Sequence, residues 1–327
     1  MKVCVVGCGN ISKLHIKAIE ENPDLELAGV CDIKKERALL AAIQTGAEAY
    51  TDYYEMIKAV RPACVHICTP HYLHTPFALF ALENGVNVLI EKPCSTSLKE
   101  IDELCAAQKK SGLAVGVCFQ NRYNACVLKA KSMIESGEYG KIKALRGFVT
   151  WSRGEDYYSD DWHGTLEKEC GGVLINQAIH TIDLLQMLGG GCQRVISHTF
   201  NDHLKGKIEV EDTATILMQM KNGAPAILYA TTAYGEDSPV LIEICLENAV
   251  IRLEGDRLYV KQNDIFEYVP TEQSAQCLGK KYWGTGHFSL INDFYYSLLN
   301  NKQFEIDAIE GAKACEIVSK CYESQGD

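Results

Sequence analysis

Lys92 is the side chain best placed by its neighbours to do chemistry, because Glu91-Lys92-Pro93 follows directly on the apolar run 87–90. A strand ending there in an open α/β sheet delivers the lysine to the carboxyl ends of the strands, where such folds bind ligands. Desolvation in a cleft moves an ammonium towards working pH, as proton transfer requires. Pro93 restricts the chain behind the lysine and admits a cis bond. The competing reading is a solvated lysine partnered by Glu91. His180 is the second candidate: a helix expected over 174–188, opening after Gly171-Gly172, sets it one turn beyond Asn176, so that both share a face. An isolated histidine on an apolar helix is otherwise a satisfied core residue. Asp183, three residues further on, serves either the same face or a helix hydrogen bond.

The elements that must position these groups begin at residue 2. Val3, Val5 and Val6 suit a strand buried on both faces, Gly7-Cys8-Gly9-Asn10-Ile11-Ser12 breaks it, and 13–20 has helical period. Gly7 permits a tight turn, and Gly9, lacking a Cβ, lets the backbone approach a pyrophosphate at the helix N-terminus. Ser12 stands where the third glycine of G-x-G-x-x-G usually stands. A second strand, 25–31, ends in Asp32, at the spacing of about 20 residues expected of a ribose-binding acid. A 2′-phosphate about 5 Å from that carboxylate costs roughly 3 kcal/mol at an effective dielectric near 20, about two decades of affinity, so NAD is expected over NADP. Otherwise the stretch is a glycine turn of another α/β fold, with Asp32 capping the next helix.

At 327 residues the chain is too long for one ordinary core, and two domains are expected. After Asp32, helices over 34–45, 53–60, 73–84 and 98–110 alternate with strands over 47–50, 63–68, 87–90 and 113–119, which reads as a doubly wound parallel sheet of Rossmann type over 1–120. Residues 121–327 change rhythm. A helix over 127–136, a strand over 142–151 and the helix at 174–188 precede alternating strands between 195 and 269, and helices over 288–300 and 308–323 follow; this is an α+β domain with a large, mostly antiparallel open sheet. Covering one face of that sheet with helices leaves the other to a partner copy, so a homodimer or homotetramer is expected. A net charge of −11 argues against nucleic acid and against an anionic membrane surface. No run approaches the ~20 apolar residues of a membrane span, and residues 1–2 lead straight into a core strand, which points to a cytoplasmic protein. Fifteen scattered cysteines, several in apolar strands, read as buried thiols, and Cys64-x-His66-x-Cys68 lies inside a strand, so no metal site is expected.

Five segments in order resemble the glucose-fructose oxidoreductase, inositol dehydrogenase and MocA family: Val6 to Ser12, Cys68-Thr69-Pro70-His71-Tyr72-Leu73-His74, Glu91-Lys92-Pro93, Gly171-Gly172 through His180, and Gly286-His287 leading to Asn292-Asp293-Phe294. The resemblance implies an NAD(P)-dependent oxidoreductase acting on a sugar, sugar derivative or cyclitol held between the domains. It implies catalysis by Lys92 and His180, with either as principal base, and cofactor contacts from Gly7, Gly9, Asn10, Ile11, Asp32, Thr69, Pro70, His71, His74, Glu91 and Lys92. Asn176 stands where many relatives carry aspartate, and a neutral amide orients a sugar or the histidine instead of stabilising an imidazolium. Gln120, Arg122, Tyr157, Tyr158, Trp162 and His163 offer the planar polar groups and aromatic faces that sugar hydroxyls require. Trp162-His163-Gly164-Thr165 resembles a sugar 3-dehydrogenase subgroup in which arginine follows the tryptophan. The alternatives are a member using retained NAD for redox-assisted elimination, ending in glycoside cleavage, or a non-catalytic dinucleotide sensor.

Overall fold

A computed structural model describes residues 1–271 and 286–324 of the chain. Its first sheet has six strands, β1 (Lys2–Val6), β2 (Glu26–Cys31), β3 (Glu48–Tyr50), β4 (Cys64–Ile67), β5 (Asn87–Ile90) and β6 (Val115–Val117), all parallel and ordered β3-β2-β1-β4-β5-β6. That is the Rossmann order, reversing direction between β1 and β4. The helices α1 (Ser12–Glu21), α2 (Lys35–Thr45), α3 (Tyr53–Val60), α4 (His74–Glu83) and α5 (Leu98–Ser111) connect the strands. Local chemistry explains the punctuation: Asp52 and Ser97 accept amides three residues on and so start α3 and α5. Val3, Cys4, Val5, Cys64 and Val65 are fully buried, as strands covered on both faces require.

The chain divides into two compact units, and the division differs from a single break near residue 120. The first holds Met1–Phe119 together with His287–Ala312, and the second holds Gln120–Gly286 and Lys313–Asp327. Residues 287–312 return to the first unit because of small-to-large packing at its edge strand. A Cβ on Gly116 would stand 2.6 Å from the Phe294 ring, so glycine there lets the late helix lie against β6. The Ile306 carbonyl then takes the Val117 amide at 2.9 Å.

The second unit opens with α6 (Ala125–Glu135) and β7 (Ile142–Thr150), and carries α7 (Ile179–Leu188) before the strands β8 (Cys192–Phe200), β9 (Thr213–Met220), β10 (Pro225–Thr231), β11 (Leu241–Leu246), β12 (Val250–Glu254), β13 (Arg257–Lys261) and β14 (Glu267–Val269). They form an eight-stranded sheet, β14-β13-β12-β11-β7-β10-β9-β8, antiparallel except where β10 meets β7. Two late helices follow, α8 (Gly286–Leu299), which falls in the first unit after Gly286, and α9 (Ala308–Glu323). Gly147 on β7 makes room for α7, since a Cβ there would meet Thr181 and Leu185 at 3.1 Å. The opposite face carries a register row, Ile196, Leu217 and Ile227, that is 40, 57 and 42% exposed and continues into Arg146, Glu243 and Arg252.

Candidate functional site

In the first unit the glycine turn and Asp32 are tied into one piece. The Cys8 amide donates to Asp32 Oδ2 at 2.9 Å and the Lys34 amide to Oδ1 at 2.8 Å, which aims the carboxylate at the turn and leaves each oxygen a lone pair. Gly7 has φ +87°, and a Cβ there would meet the Cys68 carbonyl oxygen at 2.5 Å, so no other residue fits. Beside Gly9 nothing lies within 4 Å of where a Cβ would be, leaving the backbone approachable. Ser12, in place of a third glycine, is buried and folds its hydroxyl back onto the Gly9 carbonyl at 2.8 Å. Asn10 is exposed and Ile11 precedes the first turn of α1. Thr69, just past β4, has a buried Oγ1 with no partner among the described residues. An open glycine turn, an anchored acid and an orphaned hydroxyl at the strand ends fit a dinucleotide.

Lys92 is half-buried just past β5, and the Lys92-Pro93 bond is cis. Its amide lies 3.3 Å from Glu91 Oε2. Glu91 itself faces inwards: Oε1 sits 2.9 Å from His15 Nε2 and 3.5 Å from His287 Nε2. Burial alone would push its carboxyl up, but His15 and His287 outweigh it and hold Glu91 well below the usual range. His15 in turn meets His66, and His66 meets Tyr295. The Glu91 carboxylate is thus engaged by two histidines through one oxygen and by the Lys92 amide at the other.

His74 also departs from expectation. Its two ring nitrogens lie 2.6 Å from the Pro93 carbonyl and 2.7 Å from the Thr69 carbonyl, and burial lowers its pKa, so the neutral ring ties those two segments together by donating to one carbonyl at a time. Both ring nitrogens thus face main-chain carbonyls. His71 sits in the turn His71–Leu73, buried, with its ring 5.9 Å from that of His74.

The second unit gathers two groups. Gln120 Nε2 lies 3.3 Å from His180 Nε2, and Gln120 Oε1 is buried without a partner among the described residues. Arg122, expected to hold substrate, is buried and clamps Asp183 through Nε at 2.7 Å and Nη2 at 2.5 Å. Asp183 is buried with it and pairs with the guanidinium. Asn176 does not share a helical face with His180, because α7 starts only at Ile179. Ahead of it the Glu211 carboxylate accepts the Gly172 and Leu174 amides at 2.9 and 3.0 Å, the Glu211 carbonyl accepts the Val173 amide at 3.0 Å, and 172–178 runs as turns.

Asn176 Nδ2 instead donates to Glu169 Oε1 at 2.5 Å and to the Tyr157 hydroxyl at 3.2 Å, a hydroxyl that also receives Gln177 Nε2 at 3.3 Å. Gln177 Oε1 is a second buried acceptor without a partner among the described residues. The Trp162 and His163 rings lie 3.7 Å apart and His163 lies 4.8 Å from Tyr157. His163 Nδ1 meets Asp160 Oδ2 at 2.6 Å; burial opposes ionisation of Asp160, but the His163 amide and ring prevail and hold its pKa down. Sequence reasoning missed Glu169, Gln177, Arg153 (stacked over Tyr157 at 5.4 Å) and the histidines around Glu91. An ionisable residue inside an apolar strand, as with His66, was the available signal.

Fold and site together define an oxidoreductase built on an NAD-binding Rossmann domain. Residues 1–119 match the family model described as oxidoreductase family, NAD-binding Rossmann fold, and residues 127–252 match the GFO/IDH/MocA C-terminal domain. The chain belongs to this family. D-glucoside 3-dehydrogenase of Escherichia coli is 26% identical over 286 residues, 80% of either chain. Myo-inositol 2-dehydrogenase of Thermotoga maritima is 25% identical over 73% of this chain and 72% of its own. Among solved structures, the WlbA dehydrogenase of Bordetella pertussis in complex with NADH and UDP-GlcNAcA superposes with a TM-score of 0.88 at 28% identity, covering 100% of this chain and 97% of the other. Among the described residues no helix is long and apolar enough to cross a membrane.

Proposed function

We propose that the protein oxidises a secondary hydroxyl of a sugar, sugar derivative or cyclitol with NAD. What carries the reading is Lys92, presented at the carboxyl end of β5 in an NAD-binding Rossmann sheet with its backbone anchored to an ionised Glu91. Gly7, Gly9, Asn10, Ile11, Asp32, Thr69 and Pro70 are the residues that hold the cofactor, and when bound it supplies the hydride acceptor at its nicotinamide. Either Lys92 or His180, in its neutral form, takes up the hydroxyl proton, and the other polarises the oxygen as carbonyl character develops. Gln120 orients His180. The buried acceptors Gln120 Oε1, beside His180, and Gln177 Oε1, beside the Tyr157 hydroxyl, support a substrate rich in hydroxyl donors. His163, already partnered by Asp160, favours a neutral group at that end over a phosphate.

The relatives named above act on a glucoside and on myo-inositol, and both classes fall within this reading. NAD is preferred over NADP because Asp32 receives ribose hydroxyls and repels a 2′-phosphate. The test is a panel of cyclitols, free hexoses, glycosides, sugar phosphates and nucleotide sugars, read by NADH absorbance with the purified protein. Reduction of free NAD by a member of the panel is expected. Stoichiometric NAD that stays bound, with no net reduction by any of them, would replace the dehydrogenase reading with internal redox use of the cofactor.

A further inference from the structure

The side chains behind Lys92 form a chain of hydrogen bonds with a direction. Tyr295 Oη lies 2.5 Å from His66 Nε2, His66 Nδ1 lies 2.8 Å from His15 Nδ1, and His15 Nε2 lies 2.9 Å from Glu91 Oε1. Tyr295, His66 and His15 are wholly buried and come from α8, β4 and α1. A carboxylate only accepts, so His15 carries a proton on Nε2. His66 is held neutral, first by burial and then by His15, so it has a single N–H. A phenol O–H facing a bare ring nitrogen is the stronger pairing for the short Tyr295–His66 contact, which leaves the His66 proton on Nδ1 and makes His15 Nδ1 the acceptor. Every link then has one donor and one acceptor, and all run towards Glu91.

We infer that Tyr295, His66 and His15 are positioning residues for Lys92: by fixing one tautomer in each ring they hold Glu91 as an oriented anion whose second oxygen keeps the Lys92 amide. The inference rests on the reading of Lys92 as the catalytic lysine. The other groups around Glu91 are compatible with this. His287 of α8 faces Oε1 at 3.5 Å, Cys118 after β6 and Cys68 after β4 are kept as thiols by burial and by Glu91, and His74 of α4 is turned to carbonyls. His15, Glu91 and Cys118 also place ligand atoms within 4.8 Å of one another, but two ligands of a tetrahedral zinc stand about 3.3 Å apart, and the 2.9 Å between His15 and Glu91 is a hydrogen-bond distance.

Two amides at one position test the chain. Glutamine places its amide nitrogen near the former Nε2 and asparagine near the former Nδ1, so His15→Gln keeps the donor to Glu91 and His15→Asn loses it. With a carbohydrate that reduces NAD in the panel above, His15→Asn should lower kcat at least tenfold and displace the acid limb of its pH profile. His15→Gln should stay within about threefold of the parent and restore the limb, with KM for NAD unchanged in both. Equal losses in the two variants would overturn the assignment. Independently of any substrate, 15N-histidine NMR of the full chain should show the Nε2–H tautomer for His15 and Nδ1–H for His66 between pH 6.5 and 8. Tyr295→Phe, which removes the donor to His66 Nε2, should shift the 15N resonance of that nitrogen while Glu91 keeps His15 as the Nε2–H tautomer. The opposite tautomers, or an imidazolium at His15, would overturn the chain whatever the reaction; absence of turnover with the assigned tautomers would overturn only the dehydrogenase reading. One zinc retained per chain through dialysis and lost in Cys118→Ser would replace the chain with a metal centre.

Discussion

Replacing Asp32 by asparagine separates two effects that the carboxylate combines. One is geometric: its oxygens receive the Cys8 and Lys34 amides at 2.9 and 2.8 Å, and an asparagine can accept only one of them. The lost acceptor costs about 1–3 kcal/mol in the order of the glycine turn, roughly a tenfold loss of affinity for either dinucleotide. The other effect is charge. A carboxylate about 5 Å from a 2′-phosphate repels it by roughly 3 kcal/mol, which acts on NADP alone. Because loosening of the turn is common to both cofactors, it cancels in the ratio of their dissociation constants. That ratio should favour NAD by about two decades in the parent and collapse towards unity in Asp32→Asn. Asp32 is only 8% exposed, so the effect should survive physiological salt, and Lys34 and Lys35 nearby add to NADP binding once the carboxylate is gone. The assay is a fluorescence titration of both oxidised cofactors at one ionic strength. A parent ratio near unity, or one that moves less than about threefold in the variant, would refute the electrostatic assignment of Asp32.

Lys92→Ala should lower the single-turnover rate of hydride transfer by about two to four decades with NAD affinity little changed, and His180→Ala should also depress it; near-normal rates in both would remove their catalytic roles. The apolar row of the open sheet face is expected to pair with that of a second copy, so Leu217→Glu, acting twice in a symmetric contact, should weaken a dimer by about 3 kcal/mol or more, a hundredfold; sedimentation that shows the parent as a stable monomer at micromolar concentration would sink the pairing. Stability should fall with acid. The neutral forms of His66 and His74 are favoured in the folded state, so the unfolded chain binds more protons below about pH 6.5, and each group removes up to about 1.4 kcal/mol per pH unit there; Glu91, whose folded pKa is depressed, adds its loss below about pH 4.5. Denaturant midpoints that stay flat from pH 7.5 to 5.5 would contradict the burial of both rings as neutral groups.

What sequence makes legible here is whatever depends on neighbours along the chain. The glycine turn, the buried valines and the acid after β2 are local signals, and they lead directly to a parallel sheet with Asp32 at the turn. Lys92 is legible for the same reason, since a strand end and a proline define its setting. The partners of Arg122, His74 and Asn176 were not, because none of them is set by the period of an element: Asp183 for the arginine, the Thr69 and Pro93 carbonyls for the histidine, Glu169 and Tyr157 for the asparagine. Period alone extends α7 back to residue 174, yet 172–178 runs as turns whose first amides go to a buried Glu211 more than thirty residues on. The same logic governs residues 287–312: their helical pattern is plain, but which unit they join is decided by the missing side chain at Gly116 and by the hydrogen bond of Tyr295 to His66. Polar groups enter an apolar interior only where a partner meets them. A histidine in a strand such as β4 is therefore a statement that some distant residue has been arranged around it, and here the arrangement ends at the carboxylate that holds Lys92.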